Sequence, residues 1–260
     1  MPTLRRTTVL ATALCAAAAH AGVKLGYGIK QGGKTGQLTM QLEGKNGRME
    51  MIRGEGEAAH HALILDGEGK RMLIVKYQDK VYEELTEAQM QKMKAQMEQG
   101  MARMKEQMAR LTPEQRAQME GMMGAQKKMM QGAAPEEKLV RAPGSKKIAG
   151  YSCDLYRVEA DGAHVADTCI VPWADLKVSR EELRQSLEAF RDSSFLGGAR
   201  ATMPMKAWGT GVGLPAWRKQ VAKEGGDVAE TTLTVISSGP VPRAAFAPPA
   251  GFTRRPLGER

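Results

Sequence analysis

Six methionines, Met90, Met93, Met97, Met101, Met104 and Met108, recur every three or four residues, the spacing that lines one face of an α-helix. Thioether sulfur offers two kinds of chemistry: it is a soft ligand that selects Cu(I), and it is a flexible, polarizable apolar group that adapts to surfaces of varied shape. Eleven of the eighteen methionines fall between Met90 and Met130, in a stretch with no aromatic or β-branched residue before Thr112. Lys92, Lys94, Arg103, Lys105 and Arg110 lie largely off the stripe, so the sulfur face must bury against the body of the protein, a hydrophobic ligand, a membrane surface or a soft metal. Met90/Met93, Met101/Met104 and Met119/Met122/Met123 have the spacing that converges sulfurs. The usual supporting ligands are elsewhere, because His60 and His61 on a strand point to opposite faces and His164 follows a turn. No metal site is assigned, and Cu(I) binding stands as the alternative.

The cysteines point to an oxidising compartment. Arg5 and Arg6, an apolar run from Val9 to Ala19 and the A-x-A site Ala19-His20-Ala21 read as a secretory signal peptide over 1–21, with the mature chain starting at Gly22. Leu14 stands where lipoprotein signals carry a small residue, so Cys15 leaves with the leader. Cys153 and Cys169 remain, an even pair in an exported chain. They bracket a hairpin signal at Ala160-Asp161-Gly162. A three-residue loop ending in left-handed Gly162 sets Glu159 against Ala163 and Cys153 opposite Cys169, within reach of a disulfide.

Composition excludes several classes. The formal charge of +9 falls to +7 when Arg5 and Arg6 leave, and no basic patch is interleaved with aromatics, so nucleic acid is not expected and an anionic membrane surface is. No nucleophile elbow, zinc-protease helix, phosphate loop or paired-carboxylate signature occurs. Asp66, Asp154 and Asp167 are scattered and read as solvated. Neither a catalytic residue nor a cofactor is assigned. Trp173, Trp208 and Trp217 read as partly buried anchors, with Trp208 and Trp217 as candidates for the mouth of a cavity.

The elements that must hold these residues are mostly strands. Val23–Lys30, Gln37–Glu43, Arg48–Arg53, His61–Asp66, Met72–Lys76 and Lys80–Leu85 are short apolar or alternating runs divided by Gly and Asn turns, the pattern of an antiparallel meander. Thr86 can cap a helix running to about Leu111, and Thr112-Pro113-Glu114-Gln115 starts a second one. Strands resume at Lys147–Glu159 and Ala163–Val171. Ser179-Arg180-Glu181-Glu182 opens an amphipathic helix with Leu183, Leu187 and Phe190 on one face. Val212–Ala222 and Val228–Ser237 form a last hairpin, and Phe246, Pro248 and Phe252 equip the tail to dock on the body.

Several of these runs carry a resemblance: Met72-Leu73-Ile74-Val75 with Lys80-Val81-Tyr82, Ile148-Ala149-Gly150-Tyr151-Ser152-Cys153-Asp154-Leu155-Tyr156, Val171-Pro172-Trp173, Gly213-Leu214-Pro215, and Phe246-Ala247-Pro248-Pro249-Ala250-Gly251-Phe252. Together they resemble a bacterial family of exported domains of unknown function, related in fold to the periplasmic lipoprotein carriers. The resemblance implies an antiparallel sheet curled into a half-barrel with helices on its concave side, where the carrier relatives hold acyl chains.

The sequence therefore predicts an α+β protein, one half-barrel domain over 22–260 with a Met-rich helical insert at 86–132 and one further amphipathic helix. The expected function is non-enzymatic: an exported periplasmic protein of a Gram-negative bacterium that binds a hydrophobic small molecule or lipid through Met90, Met93, Met97, Met101, Met104, Met108, Trp208 and Trp217. Besides Cu(I) binding, the other alternative is an envelope structural or stress protein whose insert is an interaction helix, its protein partner unspecified.

Overall fold

Two-residue turns set the architecture. Gly32 and Gly33 adopt φ of 56° and 74°, Ala149 and Gly150 of 50° and 87°, and Asp161 and Gly162 of 52° and 78°. Positive φ at both central residues is the type I′ geometry whose twist matches that of antiparallel strands. The computed structural model describes residues 22–54, 60–67, 70–109, 137–178, 180, 181, 183, 184, 211–221 and 228–257. The proposed leader, the helix start at Thr112, Leu187, Phe190 and Trp208 lie outside these residues.

The strands are β1 (Gly22–Gln31), β2 (Lys34–Glu43), β3 (Asn46–Arg53), β4 (His60–Asp66), β5 (Arg71–Lys76), β6 (Val81–Thr86), β7 (Glu137–Ile148), β8 (Tyr151–Ala160), β9 (Ala163–Pro172), β10 (Gly213–Gln220), β11 (Ala229–Gly239) and β12 (Thr253–Arg255), with one α-helix, α1 (Glu87–Ala109), after β6. They form a single twelve-stranded sheet in the order β12-β6-β5-β4-β3-β2-β1-β11-β10-β9-β8-β7. Every neighbour is antiparallel except β12, which runs parallel to β6. Two meanders thus meet where β1 pairs with β11. The insert departs from β6, beside one edge, and the chain re-enters at β7, the other edge.

Sheet dominates the described residues more than the α+β expectation allowed. Of the Met-rich insert, Glu87–Ala109 is helical, about 35 Å of helix at about 1.5 Å per residue. Thr86 caps it as expected: its Oγ1 accepts from the Gln89 N–H at 3.3 Å, and its own N–H donates to Gln89 Oε1 at 2.9 Å, a reciprocal capping box.

Both faces of the sheet carry core. The inner face holds Val23, Leu25 and Tyr27 of β1, Leu38, Met40 and Leu42 of β2, Met49 of β3, and Cys153, Cys169, Val171, Leu214 and Leu233 from the second meander. Leu176, Val178 and Leu183 fold over its middle. On the outer face of β4 and β5, Ala62, Ile64, Leu73 and Val75 are covered by Val241 and Phe246 of the C-terminal segment, so the apolar tail residues do dock.

A bulge between Pro215 and Trp217 interrupts the β9–β10 ladder, where proline has no N–H to give. Side chains use the carbonyls there: the Tyr27 hydroxyl donates to the Pro215 carbonyl at 3.1 Å and the Thr168 hydroxyl to that of Trp217 at 2.8 Å. Gly213 opens β10 so close to β9 that a Cβ would sit 2.0 Å from the Val171 carbonyl oxygen.

Two expectations need correction. The run Lys147–Glu159 is not one strand but the end of β7, a turn at Ala149-Gly150 and β8; β7 itself is polar, contains Pro143 and lies on an edge, so it lacks the alternation that marks a half-buried strand. The β8–β9 loop has two residues, so Ala160 rather than Glu159 faces Ala163, and a bulge at Val158/Glu159 leaves Leu155 facing Cys169. Cys153 lies diagonally from Cys169, and the twist of the hairpin brings their Cα atoms to 5.4 Å, where the disulfide forms. The cross-link closes a loop with a sequence separation of 16, for which chain entropy gives roughly 3 kcal/mol. Cys153→Ser is expected to lower the free energy of unfolding by about 3 kcal/mol, with a raised m-value because the released chain is less compact when unfolded, measured by equilibrium urea unfolding against the disulfide-bonded wild type; an unchanged free energy would refute this role.

Candidate functional site

The inner face continues past its covered middle. At the β3–β5 end Met51, Leu63, Leu65 and Ile74 are only half-buried, although they extend the buried set around Met49 and Met72. Registers place them together: Met49 faces Leu63, Leu63 faces Ile74, and Leu65 faces Met72. Alternation along β3, β4 and β5 puts these apolar side chains on one side, giving a partly open apolar floor.

The structure places the site residues chosen from sequence unevenly. Met90, Met93, Met97, Met101, Met104 and Met108 share α1, but only the Met104 side chain is among those described, and it is 40% exposed. All other described side chains of α1 are exposed as well.

Trp217 is held on three sides. It faces Cys169 across the ladder, donates its indole N–H to Glu230 at 2.6 Å, and has the Lys146 ammonium 3.2 Å from its ring centroid. Lys146 in turn faces Cys153, so a cation, the disulfide, the indole and a carboxylate form one row across β7 to β11. A cation on the ring face is worth about 0.5–2 kcal/mol depending on solvation. Beyond this row, Arg218 grips Glu137 through two hydrogen bonds of 2.6 and 3.1 Å, tying β10 to β7 across the two strands between them. The disulfide removes both cysteines from any metal, and among the described residues no three His, Cys, Asp or Glu side chains form a metal-binding group.

Sequence reasoning missed a second constellation, on the outer face. The Arg48 guanidinium donates to Glu50 at 3.0 Å, to the Ala245 carbonyl at 3.2 Å and to the Tyr77 hydroxyl. His60 Nε2 lies 2.5 Å from the other Glu50 oxygen, and the His60 ring stacks on Tyr77 at 3.6 Å between centroids. Tyr77 then meets Phe252 edge-on at 5.3 Å. These groups bind one another and the C-terminal segment. The one available signal was parity, since Arg48, Glu50 and His60 fall on the outward positions of neighbouring strands.

Burial alone would raise the Glu50 carboxyl, but the Arg48 charge and the hydrogen bonds from His60 and Arg48 outweigh it and hold the group below its ordinary value of 4.5. Burial pushes the Tyr77 phenol up to about 12, with Arg48 opposing and Glu50 adding. A depressed carboxyl stabilises the fold above its unfolded value and loses that contribution as pH falls through the folded value. The phenol has the opposite sign: its contribution is whole below the ordinary value of 10 and is lost as pH rises through about 12. Glu50→Gln is expected to cost about 1–3 kcal/mol at neutral pH by leaving Arg48 short of an acceptor. In urea titrations the gap from wild type should narrow as pH drops below 4.5; a gap constant down to about pH 3 would contradict a depressed carboxylate.

An uncharacterized conserved protein from Thermus thermophilus overlays with a TM-score of 0.45 at 7% identity, covering 91% of each chain. The MucA/MucB complex of Pseudomonas aeruginosa gives 0.35 at 13% identity, covering 86% of this chain and 54% of the matched one. A DUF1329 family protein from Desulfovibrio piger gives 0.30 at 7% identity, covering 89% and 91%. All three scores are low, the mark of distant resemblance in shape. No curated protein matches the sequence. Residues 84–252 match the domain of unknown function DUF4412, and since that span is more than half of the sequence, the chain belongs to the DUF4412 family.

Proposed function

We propose that this chain is an exported, non-enzymatic binding protein of the bacterial periplasm that holds a hydrophobic ligand, a lipid or acyl chain, on the inner face of its sheet. The observation that carries the reading is the partly open floor of Met51, Leu63, Leu65 and Ile74 beside a fully buried core. Apolar surface in contact with water costs roughly 25 cal/mol per Å², so a ligand or a moving cover laid on it is favoured. The Met-rich helix α1 rises from β6, the strand that pairs with the floor's Ile74 on β5, and unbranched methionine suits a cover that must fit ligands of varied shape. The leader motif and the Cys153–Cys169 disulfide support the oxidising compartment.

Replacing Met97, Met101, Met104 and Met108 by leucine conserves volume and helix propensity while removing the sulfurs. The leucine variant is expected to fold and to bind a fluorescent hydrophobic probe within about twofold of wild type, since similar apolar area is buried. Glutamine at the same positions places amides on that face and should weaken probe binding by roughly tenfold or more. A leucine variant that folds but loses the probe, or wild type that holds stoichiometric Cu(I) through these sulfurs, would overturn the reading.

A further inference from the structure

A groove of about 640 Å³ lies where the first turns of α1 pass the edge strand β12, one strand beyond the Ile74 end of the apolar floor, which Glu83 of β6 faces. Gln89, Lys92 and Gln96 of α1 form one wall, Arg254 and Arg255 of β12 the other, and Glu84 supplies a carboxylate. Three cations therefore face one anion. That anion is already shared, with Arg254 Nε at 3.2 Å and Arg71 Nη1 at 3.8 Å.

Arg255 is under-used. Its Nη2 lies 3.7 Å from Asp79 and 3.6 Å from Glu83, both too long for a hydrogen bond. Its Nε–H is buried and has no acceptor among the described residues. Glu83 is meanwhile taken by Lys76. Lys92 makes no ion pair among the described residues and stands exposed. A guanidinium with donors to spare beside a free ammonium is chemistry that suits a multi-oxygen anion.

The helix that walls the groove also carries the stripe. Gln89, Lys92 and Gln96 share one face, and Met90, Met93 and Met97 each follow one residue later, about 100° further round the axis. A polar seat and a row of methionine positions thus lie side by side on one helix.

We propose that this groove seats the anionic, phosphate-type head of an amphiphile whose apolar tail is the hydrophobic ligand of the preceding section. The inference rests on that reading and names the class of molecule: an anionic lipid rather than a neutral one. Lys92 and Arg255 hold the head, and Glu84 limits the affinity by its negative charge.

Calorimetric titration of the full chain, processed on export, with dodecyl phosphate, dodecyl maltoside and inorganic phosphate separates the contributions, all kept below micelle formation. Dodecyl phosphate is expected to bind roughly tenfold or more tighter than either of the others. Lys92→Gln and Arg255→Gln should each cost it several-fold, while maltoside binding stays unchanged and Arg255→Lys retains most of the affinity. If Arg255→Gln fails to fold, Lys92→Gln, on an exposed helix position, reads the same effect. Equal binding of the two dodecyl compounds, or variants that bind the phosphate as wild type does, would overturn this inference and leave the hydrophobic-ligand reading standing. Inorganic phosphate bound as tightly as dodecyl phosphate would mark a free-anion site and overturn the amphiphile. Failure of both dodecyl compounds would overturn both readings.

Discussion

The pairing of β1 with β11 is the constraint on which the sheet depends. Gly22–Gln31 runs antiparallel to Ala229–Gly239 over its whole length, and without it the two meanders would be separate sheets with four exposed edges. The ladder joins segments about two hundred residues apart, so its loop-closure entropy must be met by burial. Val23, Leu25 and Tyr27 supply that burial, each at most 3% exposed. Tyr27 adds a hydrogen bond that reaches past β11 to the Pro215 carbonyl. Such long-range pairing makes slow folding the expectation, and the local Cys153–Cys169 cross-link limits the ensemble that must be searched.

Joining the meanders this way has a consequence for function. The chain leaves the sheet beside one edge and returns at the other, so the segment between β6 and β7, of which Glu87–Ala109 is helical, links the two edges. On the proposed reading, ligand binding falls to the inner face and to the arm that leaves β6. The two ends are secured differently. At one, Arg218–Glu137 and the Lys146–Trp217–Glu230 row tie β7 back to the sheet; at the other, β12 caps β6 with two arginines, a charged and very short edge strand.

The strands most legible in the sequence were those with one buried and one wet face, because alternation records that asymmetry directly. β1 to β6 and β9 fall within a few residues of their expected positions. β7 was missed because an edge strand needs no apolar face, and β12 because three residues, two of them arginine, leave no periodicity to detect. The disulfide partners were legible from the bracketing of a hairpin, but the register was not, since a bulge at Val158/Glu159 shifts it without any glycine or proline to announce it. The Arg48–Glu50–His60–Tyr77 cluster left only a parity signal for a different reason: its members lie on two strands and a turn, and pairing brings them together.

The central claim is that the apolar floor on the inner face receives a hydrophobic chain. Photolabelling with a diazirine-bearing fatty acid, followed by peptide mapping, tests it most directly. The account predicts labels on the inward positions Met51, Leu63, Leu65 and Ile74 and on α1, competed away by unlabelled fatty acid. Labels confined to outward positions such as Lys24, Thr39 and Val235, or labelling that unlabelled fatty acid does not suppress, would contradict it.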